Sequence, residues 1–136
     1  MSGVFIDTGA WIALTDRRDR HHQDARLIVS RLSDQRRPLV TTNHVIGESY
    51  TWLRYHLGGD LARRFLARLR EDAGIRRIHV SSGQEREAEL LLEQFADQDF
   101  SYVDATSFVV MSQLGLNEAF AFDHHFAVAR FSLLVP

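Results

Sequence analysis

The sequence contains no cysteine and no lysine, and each absence excludes a class of site. Without cysteine, neither disulfide bonds nor zinc sites with thiolate ligands are available. Without lysine there is no P-loop, because that phosphate-binding motif requires one. The glycine pattern of dinucleotide-binding folds, Gly-x-Gly-x-x-Gly, is also missing. These absences exclude several common routes to nucleotide and metal chemistry, and leave carboxylates, histidines and arginines as the candidate functional groups.

Long apolar runs are also absent, and this bears on location. No stretch approaches the length of a membrane span. The N-terminus has no basic region, and Asp7 interrupts the first apolar run, so nothing resembles a signal peptide. We therefore expect a cytoplasmic protein with no membrane partner.

The formal net charge of −2 argues against a generally basic nucleic-acid binder. All 16 basic residues are arginine. Arginine forks suit phosphate and carboxylate partners. The base composition of a genome is the first explanation of arginine in place of lysine, and local phosphate contacts are the second. The arginines cluster in short groups, for example at Arg17, Arg18 and Arg20.

Short apolar stretches alternate with helical patterns along the whole chain. This alternation predicts an α/β fold in three layers, α/β/α, with a central, mostly parallel sheet. With 136 residues and no linker or repeat, residues 1–136 are expected to form a single domain. The predicted strands are Val4–Ile6, Leu39–Thr41, Ile75–Val80 (near an edge), Ala119–Phe122 and Ser132–Val135.

Three local signals predict helix starts. Thr42 or Asn43 can cap the helix that carries Glu48. The spacing from Ser82 to Glu85 is that of a capping box. Ser101 precedes Asp104 by the same interval, ahead of a strongly apolar helix that Gly115 ends.

Four acidic residues interrupt apolar stretches near a strand or helix end. Asp7 and Asp123 each follow an apolar strand directly, whereas Glu48 and Asp104 lie in the early turns of helices. In a parallel sheet, all four positions point towards the edge where ligands bind. The sequence therefore predicts one acidic cluster.

Such a cluster requires a counter-charge. At an effective dielectric near 20, two unit charges about 4 Å apart repel by roughly 4 kcal/mol. The carboxylates must therefore take up protons or bind a cation. Oxygen ligands without cysteine favour Mg²⁺ or Mn²⁺ over Zn²⁺. Such ions are suited to phosphodiester hydrolysis by water. Haloacid-dehalogenase-type phosphatases and receiver domains also have strand-end aspartates, but both require the missing lysine.

Three of the four acids also have a purely structural explanation. On this explanation, Asp7 and Asp123 serve simply as helix N-caps, and Asp104 is simply the second residue of a capping box with Ser101. Glu48 has no capping spacing and lies in a helix predicted to be buried, where an unpaired carboxylate is costly. The seven histidines show no metal-binding spacing, and we interpret them as surface or partly buried residues. A role for His22 or His124 in contacting the substrate or supporting the metal ligands is the less favoured alternative.

Four segments in this order and spacing carry a family resemblance. They are Phe5-Ile6-Asp7-Thr8, Thr41-Thr42-Asn43 through Glu48, Phe100 to Ala105 around Asp104, and Phe122-Asp123-His124-His125-Phe126. The sequence resembles PIN-domain proteins, in particular the VapC-type toxin ribonucleases of bacterial toxin–antitoxin pairs. The resemblance covers nearly the whole chain.

The resemblance implies Mg²⁺- or Mn²⁺-dependent endoribonuclease activity, with RNA as substrate. Asp7, Glu48, Asp104 and Asp123 match the acidic positions of the family, which implies that they are both catalytic residues and metal ligands. Thr8 matches a position where a small hydroxyl residue supports the site. The resemblance also implies a homodimer and a cognate antitoxin that inserts a segment near the acids. The alternative is a catalytically inactive RNA- or protein-binding module on the same fold.

Overall fold

Five short strands form one parallel sheet at the centre of the computed structural model, which describes residues 2–136. The sheet order is β3-β2-β1-β4-β5, and every neighbouring pair is parallel. The predicted mostly parallel sheet is thus confirmed, and it is wholly parallel. The strands are β1 (Val4–Ile6), β2 (Leu39–Thr42), β3 (Ile75–Ile78), β4 (Glu118–Phe120) and β5 (Ser132–Leu133).

Seven helices flank this sheet in the described part of the chain. All three residues of β1 are buried, although successive side chains point to opposite faces, so helices must cover both faces of the sheet. The predicted three-layer α/β/α architecture is therefore confirmed. The helices are α1 (Thr8–Thr15), α2 (His22–Asp34), α3 (Asn43–Leu57), α4 (Gly59–Glu71), α5 (Ser82–Gln94), α6 (Tyr102–Leu114) and α7 (His125–Val128).

Three strands end earlier than the hydrophobic pattern predicted: β5 ends at Leu133 rather than Val135, and β3 and β4 end where their pairing partners end. The last pair between β1 and β4 is Ile6 with Phe120, so the predicted extension of β4 to Phe122 has no partner. The last pair between β2 and β3 is Thr42 with Ile78. Beyond it, the Val80 amide donates to Oδ1 of Asn43 at 2.8 Å instead. The edge position predicted for β3 is confirmed.

The helix-start predictions have mixed outcomes. Thr42 caps α3, with its side chain accepting a hydrogen bond from the Val45 amide at 3.1 Å. The capping box predicted at Ser82 and Glu85 is wrong by one residue, because Ser81 is the N-cap of α5 and Gln84 is its partner. The hydroxyl of Ser82 lies one residue too late to reach the free amides of the first turn.

The sheet order determines where a site forms. β1 lies between β2 and β4, and the chain moves to one side of β1 for β2 and β3 and to the other side for β4 and β5. A crevice at the carboxyl ends of the strands is expected where the direction reverses, beside β1 and β4. Among residues 2–136, no helix is both long enough and apolar enough to cross a bilayer.

Candidate metal centre

Asp7 follows β1 directly and occupies the N-cap position of α1, but its carboxylate makes no capping hydrogen bond. Its backbone amide donates to the Phe120 carbonyl at 3.0 Å, which ties it to the end of β4. The residue is only 5% exposed. A buried carboxylate without capping bonds has lost its hydration and gained little in return. The purely structural explanation of Asp7 as a helix cap therefore lacks the bond it requires.

The surroundings of Asp7 disfavour its charged form. Burial raises its pKa from the ordinary 3.8 to about 7, while the backbone of Thr8 lowers it. Repulsion from Asp104, Glu48 and Asp123 raises the pKa further. All three acids thus lie within electrostatic reach of Asp7, so the structure brings the four predicted residues to one region. Their assignment as metal ligands and catalytic residues stays a prediction.

Asp104 is buried at the start of α6 and does two things at once. It completes a capping box, because its Oδ2 accepts the Ser101 amide at 3.0 Å and the Ser101 hydroxyl accepts the Asp104 amide. The structural alternative is therefore real for this residue. The same Oδ2 lies 3.0 Å from Nδ1 of His125, so Asp104 also contacts the start of α7.

Asp123 lies in the turn between β4 and α7. Its Oδ1 accepts the backbone amide of His125 at 2.9 Å, two residues along the chain. This is an Asx turn at the start of α7, in which His124 occupies the N-cap position. The capping role predicted for Asp123 is therefore found in a modified form, and its carboxylate still reaches the acidic region.

His125 connects two of the acids, and the sequence did not single it out. Its Nδ1 lies 3.0 Å from Oδ2 of Asp104 and 3.2 Å from Oδ1 of Asp123, and its side chain is 15% exposed. A histidine that contacts two carboxylates can orient both. The one signal available in the sequence was its position two residues after a strand-end aspartate.

The expectation that Glu48 is buried is wrong. The buried face of α3 consists of Val45, Ile46, Ser49 and Leu53, whereas Glu48 is exposed. The cost of burying a carboxylate therefore does not argue for a role of this residue. Glu48 instead lies at the rim, where it still raises the pKa of Asp7. It also lines an apolar cleft of about 540 Å³ beside Trp52 and Tyr55.

Thr8 follows Asp7 at the start of α1, and its hydroxyl is buried without a hydrogen-bond partner within residues 2–136. Buried hydroxyls without partners are rare because the lost hydration is costly. A bound group beside Asp7 would satisfy this hydroxyl. The supporting role predicted for Thr8 is consistent with this position and stays a prediction.

Residues of the site differ in how closely their ligand atoms approach one another. Within residues 2–136, the only group of three or more such atoms within 4.8 Å of one another comes from Asp123, His124 and His125. The side chain of His124 is 80% exposed and forms a weaker contact with Asp123 at 3.7 Å. Buried Asp7 and Asp104 offer the oxygen ligands that Mg²⁺ and Mn²⁺ prefer. There are therefore two alternative sets of metal ligands, and both contain Asp123. One is the group with His124 and His125, and the other is the predicted set of four carboxylates.

Comparison with known proteins decides the family. The PIN domain family matches residues 4–132. The chain belongs to the PIN-domain family. It is 37% identical over 134 residues to the 23S rRNA-specific endonuclease VapC20 of Mycobacterium tuberculosis, covering 98% of each protein. It is 31% identical over 128 residues to the VapC ribonuclease of Archaeoglobus fulgidus, covering 92% of this chain and 80% of that protein. The VapC-type resemblance predicted from the sequence is thus confirmed.

Solved PIN-domain structures agree with this fold. The crystal structure of M. tuberculosis VapC20, described as a toxin that cleaves the sarcin–ricin loop, has a TM-score of 0.89 at 35% identity. That match covers 98% of this chain and all of the other. VapBC2 of Rickettsia felis, bound to a DNA fragment from its promoter, has a TM-score of 0.72 at 11% identity, with 98% of each chain covered. The second likeness concerns the fold alone.

Proposed function

We propose that this PIN-domain protein is a metal-dependent endoribonuclease that hydrolyses RNA phosphodiester bonds as the toxin of a toxin–antitoxin pair. One observation carries the proposal: Asp7 is a buried carboxylate without a capping bond, and three other acids raise its pKa. Such a group requires a proton or a cation. The names of the VapC relatives, an rRNA endonuclease and a ribonuclease, support the same reaction.

We propose that the catalytic residues and metal ligands are Asp7, Glu48, Asp104 and Asp123, with Mg²⁺ or Mn²⁺ as the cofactor. The donor set fits these ions because it consists of carboxylate oxygens. When bound, such an ion lowers the pKa of a water molecule and neutralises charge on the phosphate. Thr8 supports the site through its buried hydroxyl, which has no partner within residues 2–136.

The protein's own residues hold the carboxylates in place for this reaction. The amide of Ser101 and the ring of His125 fix Asp104, and the His125 amide fixes Asp123. Burial of Asp7 keeps bulk water away from the inner side of the site. Glu48 is exposed, so a polynucleotide substrate can reach it. Water is the nucleophile, so no protein side chain forms a covalent bond with the substrate.

The partners in this proposal are an RNA substrate, a cognate antitoxin and a second copy of the chain. The apolar cleft beside Glu48 supports the proposal of an antitoxin partner, because a protein segment inserted near the acids would contact this cleft. Tyr55 lines this cleft and is 83% exposed, as expected of a residue that a partner covers. We also propose that residues 1–136 form one PIN-like nuclease domain. The cytoplasmic location stays a prediction.

The direct test of the reaction uses a synthetic sarcin–ricin loop RNA, since a relative is described as cleaving that loop. We expect cleavage in the presence of Mg²⁺ or Mn²⁺ and none in the presence of a chelator. Asp7→Asn should reduce the rate at least 100-fold, because replacing one ligand disturbs the ion that neutralises the phosphate. Asp97→Asn, at an exposed position, is the control and should be unchanged.

Circular dichroism should show that all the variants are folded. The inactive binding module is the alternative, and a metal titration separates it from the enzyme. If Mn²⁺ leaves the melting temperature unchanged and no RNA is cleaved, the proposal is wrong, because a ligand of the native state must stabilise it.

A further inference from the structure

The loop between α1 and α2, residues 16–21, combines arginines with proximity to the acidic site. Arg17, Arg18 and Arg20 are all exposed. Four acids repel the phosphates of an approaching RNA, so a nearby cation would offset part of this repulsion. The inference below rests on the proposed function, since it concerns the same RNA substrate.

The carboxylates of the two aspartates in this loop accept hydrogen bonds from the backbone of the same loop. Oδ1 of Asp16 accepts the Arg18 amide at 3.0 Å, and Oδ1 of Asp19 accepts the His21 amide at 2.8 Å. These Asx turns fix the shape of the loop. Within residues 2–136, none of the three arginines forms a salt bridge with a carboxylate. Their charge is therefore available to an anion from outside.

Arg20 differs from its two neighbours because its side chain is held. Its Nε donates to Nε2 of His21 at 3.1 Å. The His21 ring lies flat on the Phe122 ring, with centroids 4.3 Å apart and planes only 3° from parallel. Phe122 immediately precedes Asp123. A chain of contacts thus runs from the acidic site through Phe122 and His21 to the guanidinium of Arg20.

This arrangement orients the guanidinium of Arg20 and leaves its terminal N–H groups available as hydrogen-bond donors. The contact with His21 takes Nε alone, and within residues 2–136 the two terminal nitrogens of Arg20 have no other partner. Two parallel N–H groups on a planar fork match two oxygens of a phosphate. Because the side chain is already held, binding a phosphate costs less rotamer entropy than it would for a free arginine. Arg17 and Arg18 lack such an anchor.

We propose that Arg20 binds a backbone phosphate of the RNA substrate beside the acidic site, and that His21 positions Arg20 by its stack on Phe122. Arg20 is thus a substrate-binding residue, and His21 and Phe122 are positioning residues. The ligand class is a phosphodiester group of RNA. Base edges are not read by this contact, so it contributes affinity and orientation rather than sequence preference.

The test measures RNA binding rather than cleavage. The parent protein is the Asp7→Asn variant, in which we expect cleavage to be at least 100-fold slower. The probe is a fluorescein-labelled single-stranded RNA followed by anisotropy over a salt series. We expect Arg20→Ala to lower affinity about tenfold and to make the log–log salt slope shallower by about 0.7, as for the loss of one phosphate contact. Arg17→Ala and Arg18→Ala are matched controls in the same loop, and each should change affinity by less than about twofold.

The positioning role has its own measurement. His21→Phe keeps a ring on Phe122 but removes the acceptor for Arg20, so we expect a loss of about threefold to fivefold in affinity. In the Arg20→Ala background the same substitution should have no further effect, because the side chain that it positions is gone. Arg20→Lys keeps the charge without the fork, and should recover less than half of the lost binding free energy.

Three outcomes would overturn the inference. If all three alanine variants weaken RNA binding equally, the loop acts by its general positive charge and Arg20 has no special role. If His21→Phe weakens binding as much without Arg20 as with it, the histidine acts only on the structure of the loop. If the Asp7→Asn parent binds no RNA at all, both this inference and the proposed function fail, whereas the first two outcomes leave the proposed function intact.

Discussion

Asp7 combines burial with the absence of a capping bond, and this combination makes stability depend on pH. Its folded-state pKa of about 7 lies above the ordinary 3.8 expected in the unfolded chain. Between these values the native state holds a proton that the unfolded chain releases. The contribution of Asp7 to stability is therefore fully present below about pH 4 and is lost as the pH rises towards 7. The stability lost through this difference in pKa is at most about 4 kcal/mol.

The first prediction concerns Asp7→Asn in metal-free protein. Asparagine stays neutral at every pH, so the variant should not show this loss. We expect it to be more stable than wild type by about 2 to 4 kcal/mol at pH 8 and nearly equal to it at pH 4. Denaturant unfolding in the presence of a chelator measures both values. A stability difference that does not change between pH 4 and pH 8 would show that Asp7 is not the titrating group.

His125 contacts both Asp104 and Asp123, a link that the sequence does not predict. Residues that orient metal ligands typically matter about 10- to 100-fold for metal affinity. We expect His125→Ala to weaken Mn²⁺ binding by this factor in a calorimetric titration. His124→Ala is the control, since its side chain is 80% exposed, and it should change affinity by less than about twofold.

The two histidine variants also distinguish the alternative donor sets. If the ion binds to Asp123, His124 and His125, removal of His124 should be as damaging as removal of His125. A loss for His124→Ala equal to that for His125→Ala would therefore reject the carboxylate site in favour of that histidine-containing group.

At the scale of elements, α5 and α6 begin with the same device and differ in what it positions. Ser81 with Gln84 and Ser101 with Asp104 both form complete capping boxes. Only the second box contains a predicted metal ligand. The chain thus provides its own control for separating helix stability from site geometry.

We expect Ser81→Ala and Ser101→Ala to destabilise the protein similarly, by about 1 kcal/mol each, because each removes one N-cap. Only Ser101→Ala should also weaken Mn²⁺ binding, since it loosens the turn that holds Asp104. Denaturant unfolding and a metal titration on both variants make the comparison. Equal Mn²⁺ affinity in the two variants would mean that the cap of α6 has no part in the site.

The elements were largely predictable from the sequence, whereas their ends and faces were not. The apolar run Val4–Ile6 and the cap at Thr42 are local signals, and both are found. The end of β4 depends on where β1 stops pairing, which no local pattern encodes. Glu48 was expected inside because its helix is rich in apolar residues, yet the helix buries a different face.

At the scale of the whole molecule, the sheet order explains why distant residues converge. β1 and β4 are neighbours, so the ends of both strands bring Asp7 and Asp123 to one edge. Glu48 on α3, which begins directly after β2, and Asp104 at the start of α6 both lie within electrostatic reach of Asp7 at this edge. The sequence predicted this convergence from the parallel topology. The contacts of His125 with Asp104 and Asp123 were not predicted, because the contact with Asp104 joins side chains of separate segments.

The most direct test of the central claim is Mn²⁺ binding measured calorimetrically on wild type and on four single amide variants. The claim is that four carboxylates from separate segments form one divalent-cation site. Wild type should bind, and Asp7→Asn, Glu48→Gln, Asp104→Asn and Asp123→Asn should each weaken binding at least about tenfold. Asp97→Asn, at an exposed position, should bind as wild type does. Absence of binding to wild type, or wild-type affinity in all four variants, would contradict the account.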